Sequence, residues 1–307
     1  MMTNTQLSRR TLLGLAAGTA LLPSMPAAAL EATLPFVLVG DWGRKGAKKQ
    51  REVGAQMGVT AAEIGSRFVI SMGDNFYSDG VSGIDDPQWI SSFESIYHAA
   101  ALQTPWHVIL GNHDFQGSVE AQLAYSGRSK RWNMPARYFK TSESLPDGSI
   151  ADFFYLDTNP FISAYRDTKI AIGGQDTAAQ LAWLDAALGG SQARWKILIG
   201  HHPLYTVSGG KHDQPELIAA IKPLMRKHGI SIYINGHQHN FQYLQVDGMH
   251  FITNGAGSKT SRPKTAGPGQ FSSDRHGFMA AALTANSFAF RFIDDGGSEL
   301  FAAQVGR

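Results

Sequence analysis

The sequence predicts an α/β fold in which helices cover two β-sheets. Short apolar runs of strand length alternate along the chain with helical patterns, which is typical of parallel βαβ units. Several of these runs are apolar throughout, as expected for strands that are buried on both faces. The 307 residues are 43% hydrophobic and 17% charged, an ordinary globular composition with enough apolar material for a large core.

The first half of the chain predicts three strands connected by two helices. The strands are residues 36–39, 68–70 and 106–110, and the helical patterns are residues 45–64 and 86–102. Pro87 suits the first turn of the second helix. The order strand, helix, strand implies a right-handed crossover between parallel strands. Residues 117–150 are rich in turn residues, with an edge strand predicted at 136–140.

The second half continues the alternation and ends in antiparallel strands. We predict strands at residues 152–156, 196–199, 230–234 and 250–253, and a hairpin of residues 279–284 and 287–292. A helix is predicted over 176–188, with Asp176 as its N-cap and Gly189 at its end. A second helix is predicted over 215–228, kinked or broken at Pro223. Residues 255–273 are predicted to form a long flexible loop.

The N-terminal 29 residues have the pattern of an export signal. Residues 8–13 (SRRTLL) form a twin-arginine motif, an apolar stretch follows over 12–22, and three alanines at 27–29 resemble a cleavage site. A membrane anchor is the alternative, but a span needs about 20 apolar residues. We therefore expect a signal peptide over residues 1–29, export by the twin-arginine machinery, and a catalytic domain over 30–307 in the periplasm or secreted, without a stable membrane anchor.

Charge and cysteine content narrow the possible functions. Residues 1–29 hold two of the 27 basic residues and no acidic one, so the remaining chain has 25 of each. This balance predicts no nucleic-acid-binding surface. Cysteine is absent, which excludes disulfides, thiolate metal sites and a cysteine nucleophile. Any metal must therefore be bound by oxygen atoms and imidazoles.

Five predicted strands end in a glycine that is followed by a polar side chain. The segments are residues 40–43 (GDWG), 73–77 (GDNFY), 111–114 (GNHD), 200–203 (GHHP) and 236–239 (GHQH). Each motif alone is weak, because Gly-Asp after a strand is more often a turn and a single histidine is more often structural. Binding sites in open α/β sheets lie at the carboxyl ends of strands, so all five together predict one shared metal site.

In order and type, these five segments resemble the motifs of the calcineurin-like metallophosphoesterases. Tyr77 narrows the resemblance to the purple acid phosphatases of the small, mammalian-like, tartrate-resistant type. The resemblance covers roughly residues 34–300. It implies a four-layer α/β/β/α sandwich, in which two mixed sheets are flanked by helices, and an acid phosphatase that contains two metal ions.

The resemblance also implies which residues bind the metals. A ferric ion would be bound by Asp41, Asp74, Tyr77 and His239, and a divalent ion by Asp74, Asn112, His201 and His237. Carboxylates and a phenolate suit Fe(III), whereas neutral imidazole and amide donors suit Fe(II), Zn(II) or Mn(II). A phenolate bound to ferric iron would colour the protein purple. The alternative for Tyr77 is an aromatic side chain that packs at a strand end.

Catalytic roles follow from the same resemblance. A metal-bound hydroxide would attack phosphorus directly, and His113 would stabilise the phosphate and protonate the leaving alkoxide. Asp114 could orient the His113 imidazole, and His202 and Asn112 would line the substrate pocket. His212 matches a second pocket histidine that contacts substrate or transfers a proton, although a solvated loop histidine is the alternative.

The leading hypothesis is an exported phosphomonoesterase that hydrolyses small phosphate esters and anhydrides and releases inorganic phosphate. A phosphodiesterase or nucleotide hydrolase of the same superfamily remains an alternative, since loops such as 115–137 and 258–271 determine substrate choice. A non-catalytic periplasmic protein that binds metal or phosphate is the alternative from another class. It is disfavoured because all seven ligand positions and His113 are filled.

Overall fold

Fourteen strands form two seven-stranded mixed sheets in the computed structural model, which describes Met1 and residues 32–170, 172–208, 213–267 and 269–307. Apart from Met1, the predicted export signal therefore lies outside the described residues. In chain order the strands are β1 (Leu34–Val39), β2 (Val69–Ser71), β3 (Trp106–Val108), β4 (Trp132–Asn133), β5 (Phe139–Ser144), β6 (Ile150–Tyr155), β7 (Trp195–Gly200), β8 (Ile232–Asn235), β9 (Phe241–Val246), β10 (Met249–Asn254), β11 (Phe271–Ser273), β12 (Gly277–Leu283), β13 (Ser287–Asp294) and β14 (Glu299–Gly306).

Each sheet combines a set of parallel strands with antiparallel strands. The first sheet has the order β14-β13-β12-β1-β2-β3-β4, in which β1 to β4 are parallel. The second has the order β11-β9-β10-β8-β7-β6-β5, in which β6, β7, β8 and β10 are parallel. The predicted hairpin is confirmed as the antiparallel pair β12 and β13. The parallel strands of both sheets therefore present their carboxyl ends to loops that can hold a site.

In the described part of the chain, four α-helices cover the outer faces of the sheets: α1 (Gln50–Ile64), α2 (Val119–Tyr125), α3 (Thr177–Gly190) and α4 (Pro215–Lys227). Strand β1 shows how the layers form, because its side chains alternate between two cores. Phe36 and Leu38 pack between the sheets, whereas Val37 and Val39 pack beneath α1. A third core lies between the second sheet and helices α3 and α4. The predicted four-layer fold class is confirmed.

Three predicted helices differ in detail. Residues 86–102 form a π-helical turn (Trp89–Glu94) and a 3₁₀ turn (Ala100–Leu102), because burial of the Trp89 and Phe93 rings and the extended backbone of Ala99 interrupt a regular helix. Helix α1 begins at Gln50 rather than 45, since Lys48 and Lys49 have positive φ values. Asp176 caps α3 as predicted, with the Ala179 amide donating to its side chain over 2.9 Å.

The predicted ends of two helices are partly confirmed. Helix α3 ends at Gly190, within the glycine pair that follows its predicted span of 176–188, and α4 runs through Pro223, so the break that was one alternative there is wrong. Residues 255–273 contain strand β11 and several backbone hydrogen bonds, so the predicted long loop is partly regular. Strands β4, β9, β11 and β14 and helix α2 have no counterpart among the predicted elements. Among the described residues, the helices are too short or too polar to span a bilayer.

Candidate metal centre

The five glycine-containing segments meet at the seam between the two sheets. Asp41, Asp74 and Asn112 follow β1, β2 and β3 of the first sheet. His201 and His237 follow β7 and β8 of the second sheet. The structure therefore shows the predicted convergence on one site. Each sheet contributes about half of the polar groups.

The backbone at these strand ends turns sharply so that the loops can approach one another. Asp41, Asp74 and His237 have left-handed φ values of 60°, 51° and 64°, a conformation that non-glycine residues seldom adopt outside functional sites. Gly111 is required by close packing, because a Cβ there would lie 2.2 Å from the amide nitrogen of Asp74. Gly43 is required for the same reason, since its Cβ would lie 1.7 Å from the Asn75 carbonyl oxygen.

One group of polar atoms surrounds the Tyr77 hydroxyl. Its oxygen lies 3.1 Å from Asp41 Oδ1, 2.8 Å from Asp74 Oδ2 and 3.0 Å from His239 Nε2. His239 Nε2 is also 3.3 Å from Asp41 Oδ1. A phenol carries a single proton and can donate it to only one of these three acceptors at a time. The group is therefore rich in lone pairs that face one another.

A second group surrounds the side-chain oxygen of Asn112. Asn112 Oδ1 lies 2.9 Å from His237 Nδ1 and 3.3 Å from His201 Nε2, and these two nitrogens are 3.3 Å apart. His201 Nδ1 faces the Met72 carbonyl oxygen at 2.8 Å, so Nδ1 carries the proton and Nε2 presents its lone pair to the group. A backbone carbonyl that fixes the tautomer in this way is typical of histidines that bind metals.

Asp74 connects the two groups. Its Oδ2 accepts the hydrogen bond from Tyr77, while its Oδ1 lies 3.5 Å from His201 Nε2. Asp41, Asp74 and His201 each place one potential ligand atom within 4.8 Å of the others. This geometry brings together all seven predicted ligands and leaves Asp74 where a carboxylate could contact two ions.

The electrostatics of the first group favour a cation. Burial would raise the pKa of Asp41, but its hydrogen bond to His239 and the nearby imidazoles lower that pKa overall. Burial, followed by the charges of Asp41 and Asp74, raises the pKa of the Tyr77 phenol well above its usual value. A phenolate at this position therefore requires a strong positive charge, which a trivalent metal ion would supply.

The comparisons with known proteins give the family. A profile described as "Calcineurin-like phosphoesterase" matches residues 34–241. The chain belongs to the calcineurin-like phosphoesterase family. This phosphoesterase is 35% identical over 294 residues to purple acid phosphatase 7 of Arabidopsis thaliana, covering 90% of this chain and 87% of that one. It is 31% identical over 318 residues to human tartrate-resistant acid phosphatase type 5, covering 94% and 95% of the two chains.

Solved structures confirm the fold. GAP50, described as the anchor in the inner membrane complex of Plasmodium, superposes on the phosphoesterase with a TM-score of 0.77 and 24% identity, covering 90% of this chain and 89% of that one. An identity this low is evidence for the fold alone. The predicted family and enzyme class are confirmed by the sequence relatives, which are acid phosphatases.

His113 lies beside the two groups of the phosphoesterase rather than within them. Its ring packs against Tyr77, with 4.4 Å between the ring centroids, and it is half-buried. Its Nδ1 makes a short hydrogen bond to the carbonyl oxygen of Ser78, which fixes the proton on Nδ1. Nε2 is then the nitrogen that can accept or deliver a proton. This position and tautomer suit the predicted acid.

The predicted role of Asp114 in orienting His113 is wrong. The Asp114 carboxylate is fully buried and accepts hydrogen bonds from the Gly111, Asn75 and Phe76 amides and from the Asn75 and Gln122 side chains. Burial, and then the charge of Asp74, raise its pKa to about 7. Asp114 therefore ties the loops after β2 and β3 together, and the carbonyl of Ser78 orients the imidazole.

The predicted substrate contact of His202 is also wrong. The side chain is fully buried, and its ring nitrogens lie 2.8 Å from Thr158 Oγ1 and 2.8 Å from the Tyr165 hydroxyl. Its ring packs 4.4 Å from that of His237, and one of its nitrogens lies within 4.8 Å of the His201 and His237 nitrogens. His202 thus packs against His201 and His237, two of the predicted ligands.

Several residues of the site were missed in the sequence, and one prediction cannot be placed. Thr158 and Tyr165 come from the loop after β6, which carries no glycine-ligand motif. Arg44 and Ser258 contact the Tyr77 side of the site. Arg44 lies between the 40–43 motif and the predicted helix, and Ser258 lies in the predicted loop of residues 255–273. His212 lies outside the described residues.

The donor set fits a pair of metal ions. Two carboxylates, a phenol and the His239 imidazole form one group, two imidazoles and an amide oxygen form the other, and the oxygen and nitrogen atoms of each group lie 2.8–3.5 Å apart. Oxygen and nitrogen atoms gathered this closely can share a bound cation. Hard anionic donors suit a trivalent ion, and neutral donors suit a divalent one.

Proposed function

We propose that this phosphoesterase is an exported acid phosphomonoesterase that hydrolyses phosphate esters and anhydrides at a dinuclear Fe(III) and divalent metal centre. The observation that carries the proposal is the convergence of the Tyr77 hydroxyl on Asp41, Asp74 and His239, beside a second group of neutral donors. Tyr77, Asp41, Asp74 and His239 would bind Fe(III). Asp74, Asn112, His201 and His237 would bind Fe(II), Zn(II) or Mn(II).

When bound, the two metals would activate a water as the nucleophile, orient the phosphate and neutralise its charge. The protein's own residues then perform three tasks. The carbonyl of Ser78 holds the Nδ1 proton of His113, so Nε2 would be the nitrogen that exchanges a proton with the substrate. A protonated Nε2 would deliver its proton to the leaving alkoxide, which general acids promote by about 10²–10⁴-fold. Asp114 fixes the loops that carry Asp74 and His113.

The partners and the cellular location are part of the same proposal. The substrate is a small phosphate ester or anhydride, and inorganic phosphate is the product. Residues 1–29 would direct export by the twin-arginine machinery, which the SRRTLL pattern of residues 8–13 supports. His212 would contact substrate or transfer a proton. N-terminal analysis of the exported protein would test the proposed export signal. A mature protein that retains residues 1–29 would contradict it.

The metal assignment is tested by the visible absorption spectrum of the purified protein, with its iron content measured in the same sample. We expect a broad band that gives a purple or pink colour, and we expect Tyr77→Phe to lose it. An iron-containing but colourless wild-type protein would refute the role of Tyr77. The reaction is tested by turnover of an aryl phosphate monoester against the corresponding diester. Faster diester hydrolysis would favour a phosphodiesterase instead.

A further inference from the structure

The guanidinium of Arg44 lies over the ring of Tyr77. Arg44 Cζ is 3.4 Å from the ring centroid, well inside the limit of about 6 Å for cation–π contacts. Arg44 Nε donates to Ser258 Oγ over 3.1 Å, and the Ser258 hydroxyl in turn makes a short hydrogen bond to the Asp41 carbonyl. The cation is therefore held on one side by a hydroxyl and on the other by the aromatic face.

The backbone leaves Arg44 little freedom to lie elsewhere. The Tyr77 amide donates to the carbonyl of Gly43 over 2.8 Å, and the missing side chain of Gly43 allows this approach. The Arg44 amide donates to the buried side chain of Gln50 over 2.9 Å. Because the loops after β1 and β2 are joined at this point, the residue after Gly43 must lie next to Tyr77.

The positive charge of Arg44 would offset the electrostatic repulsion between a Tyr77 phenolate and the neighbouring carboxylates. Two buried carboxylates, those of Asp41 and Asp74, lie about the Tyr77 hydroxyl and disfavour its anionic form. A guanidinium keeps its charge at any working pH, stacks on an aromatic face and leaves the hydroxyl open. Lysine would keep the charge but could not stack as a plane.

We propose that Arg44 is a positioning residue for the Tyr77 ligand: it holds the ring in place and stabilises the negative charge of the phenolate that binds ferric iron. The inference rests on the proposed function, because it requires Tyr77 to bind that ion. Colour in such a site arises when an electron moves from the phenolate to the metal. The guanidinium lies against the electron donor, so removing its charge would make that transfer easier and move the band to longer wavelength.

The experiment compares the visible spectra and iron contents of full-length, iron-loaded variants. We expect Arg44→Gln to move the band to longer wavelength and Arg44→Lys to move it less. Ser258→Ala, which removes the hydrogen bond to Nε, is expected to move the band in the same direction. Arg67→Gln is the matched control, because Arg67 is exposed and precedes β2, at the opposite end of that strand from Asp74. Its band is expected to coincide with that of the wild type.

The outcomes separate this inference from the proposed function. A coloured wild type with an unmoved band in Arg44→Gln would overturn the role of Arg44 and leave Tyr77 as a ligand. A wild type that contains iron but has no band would overturn both. If Arg44→Gln fails to fold or to retain iron, Arg44→Lys and Ser258→Ala decide the question, and an unmoved band in both would overturn the inference.

Discussion

A buried histidine on β3 should lower the free energy of unfolding of this phosphoesterase at acid pH. The side chain of His107 is only 5% exposed and packs against Phe68 and Tyr155, with ring centroids 5.3 and 5.7 Å away. Its Nδ1 accepts a hydrogen bond from Asn133 Nδ2 over 2.9 Å. Glu143 Oε1 lies 3.9 Å from its Nε2, too far for a hydrogen bond. Burial lowers the pKa of His107 to about 4.

The direction and size of the effect follow from linkage. The unfolded chain, with a histidine pKa of about 6.5, binds more protons than the folded protein between that value and the folded pKa of about 4. The stability contributed by neutral, buried His107 is complete above about pH 7 and is lost as the pH falls through this window. At pH 5 the loss amounts to about 2 kcal/mol relative to pH 8.

The perturbation is His107→Leu, a substitution that removes the titrating group. Urea unfolding of the metal-loaded wild type and variant at pH 8 and pH 5 gives the free energy of unfolding in all four conditions. The wild type should lose about 2 kcal/mol more on acidification than the variant does. Effects of other residues and of metal binding are common to both proteins and cancel in the comparison. Equal losses in both proteins would refute the reasoning.

Three further predictions concern the site. His113→Ala should lower kcat by about 10²–10⁴-fold without changing the metal content, and unchanged turnover would contradict its role as the acid. Asp114→Asn should lower the free energy of unfolding by about 1–3 kcal/mol, because in either orientation of the amide at least one buried donor, the Gly111 or the Phe76 amide, loses its acceptor; an unchanged urea midpoint would contradict this. Gly111→Ala should abolish metal binding, since its Cβ would lie 2.2 Å from the Asp74 nitrogen. Gly83→Ala, whose Cβ would meet nothing within 4 Å, is the control and should match the wild type.

The sequence was sufficient to predict which five strand-end segments converge on the site. A strand followed by glycine and a polar residue is a local pattern, and the geometry of parallel strands brings such ends together. The pattern does not determine what each side chain contacts. Asp114 was assigned to His113 because the two are adjacent in sequence, whereas its position depends on the loop after β2, which supplies the Asn75 and Phe76 amides.

Other errors have a similar origin in tertiary packing. The partners of His202 come from the loop after β6, whose path depends on packing against helices rather than on a motif. The irregular segment after Pro87 was predicted as a helix because its local composition permits one. Burial of Trp89 and Phe93 interrupts the regular helix. Strand β14 alternates exposed and partly buried residues at a sheet edge, where the apolar pattern that identifies central strands is absent.

The location of the site at the seam between the sheets has a mechanical consequence. Asp41, Asp74 and Asn112 belong to one half of the β-sandwich, and His201 and His237 belong to the other. Ions bound between them would act as a cross-link that joins the two halves. The binding free energy of those ions would then resist separation of the sheets. Removal of the ions by a chelator would then favour separation of the sheets at this seam first. The catalytic centre would therefore also stabilise the fold.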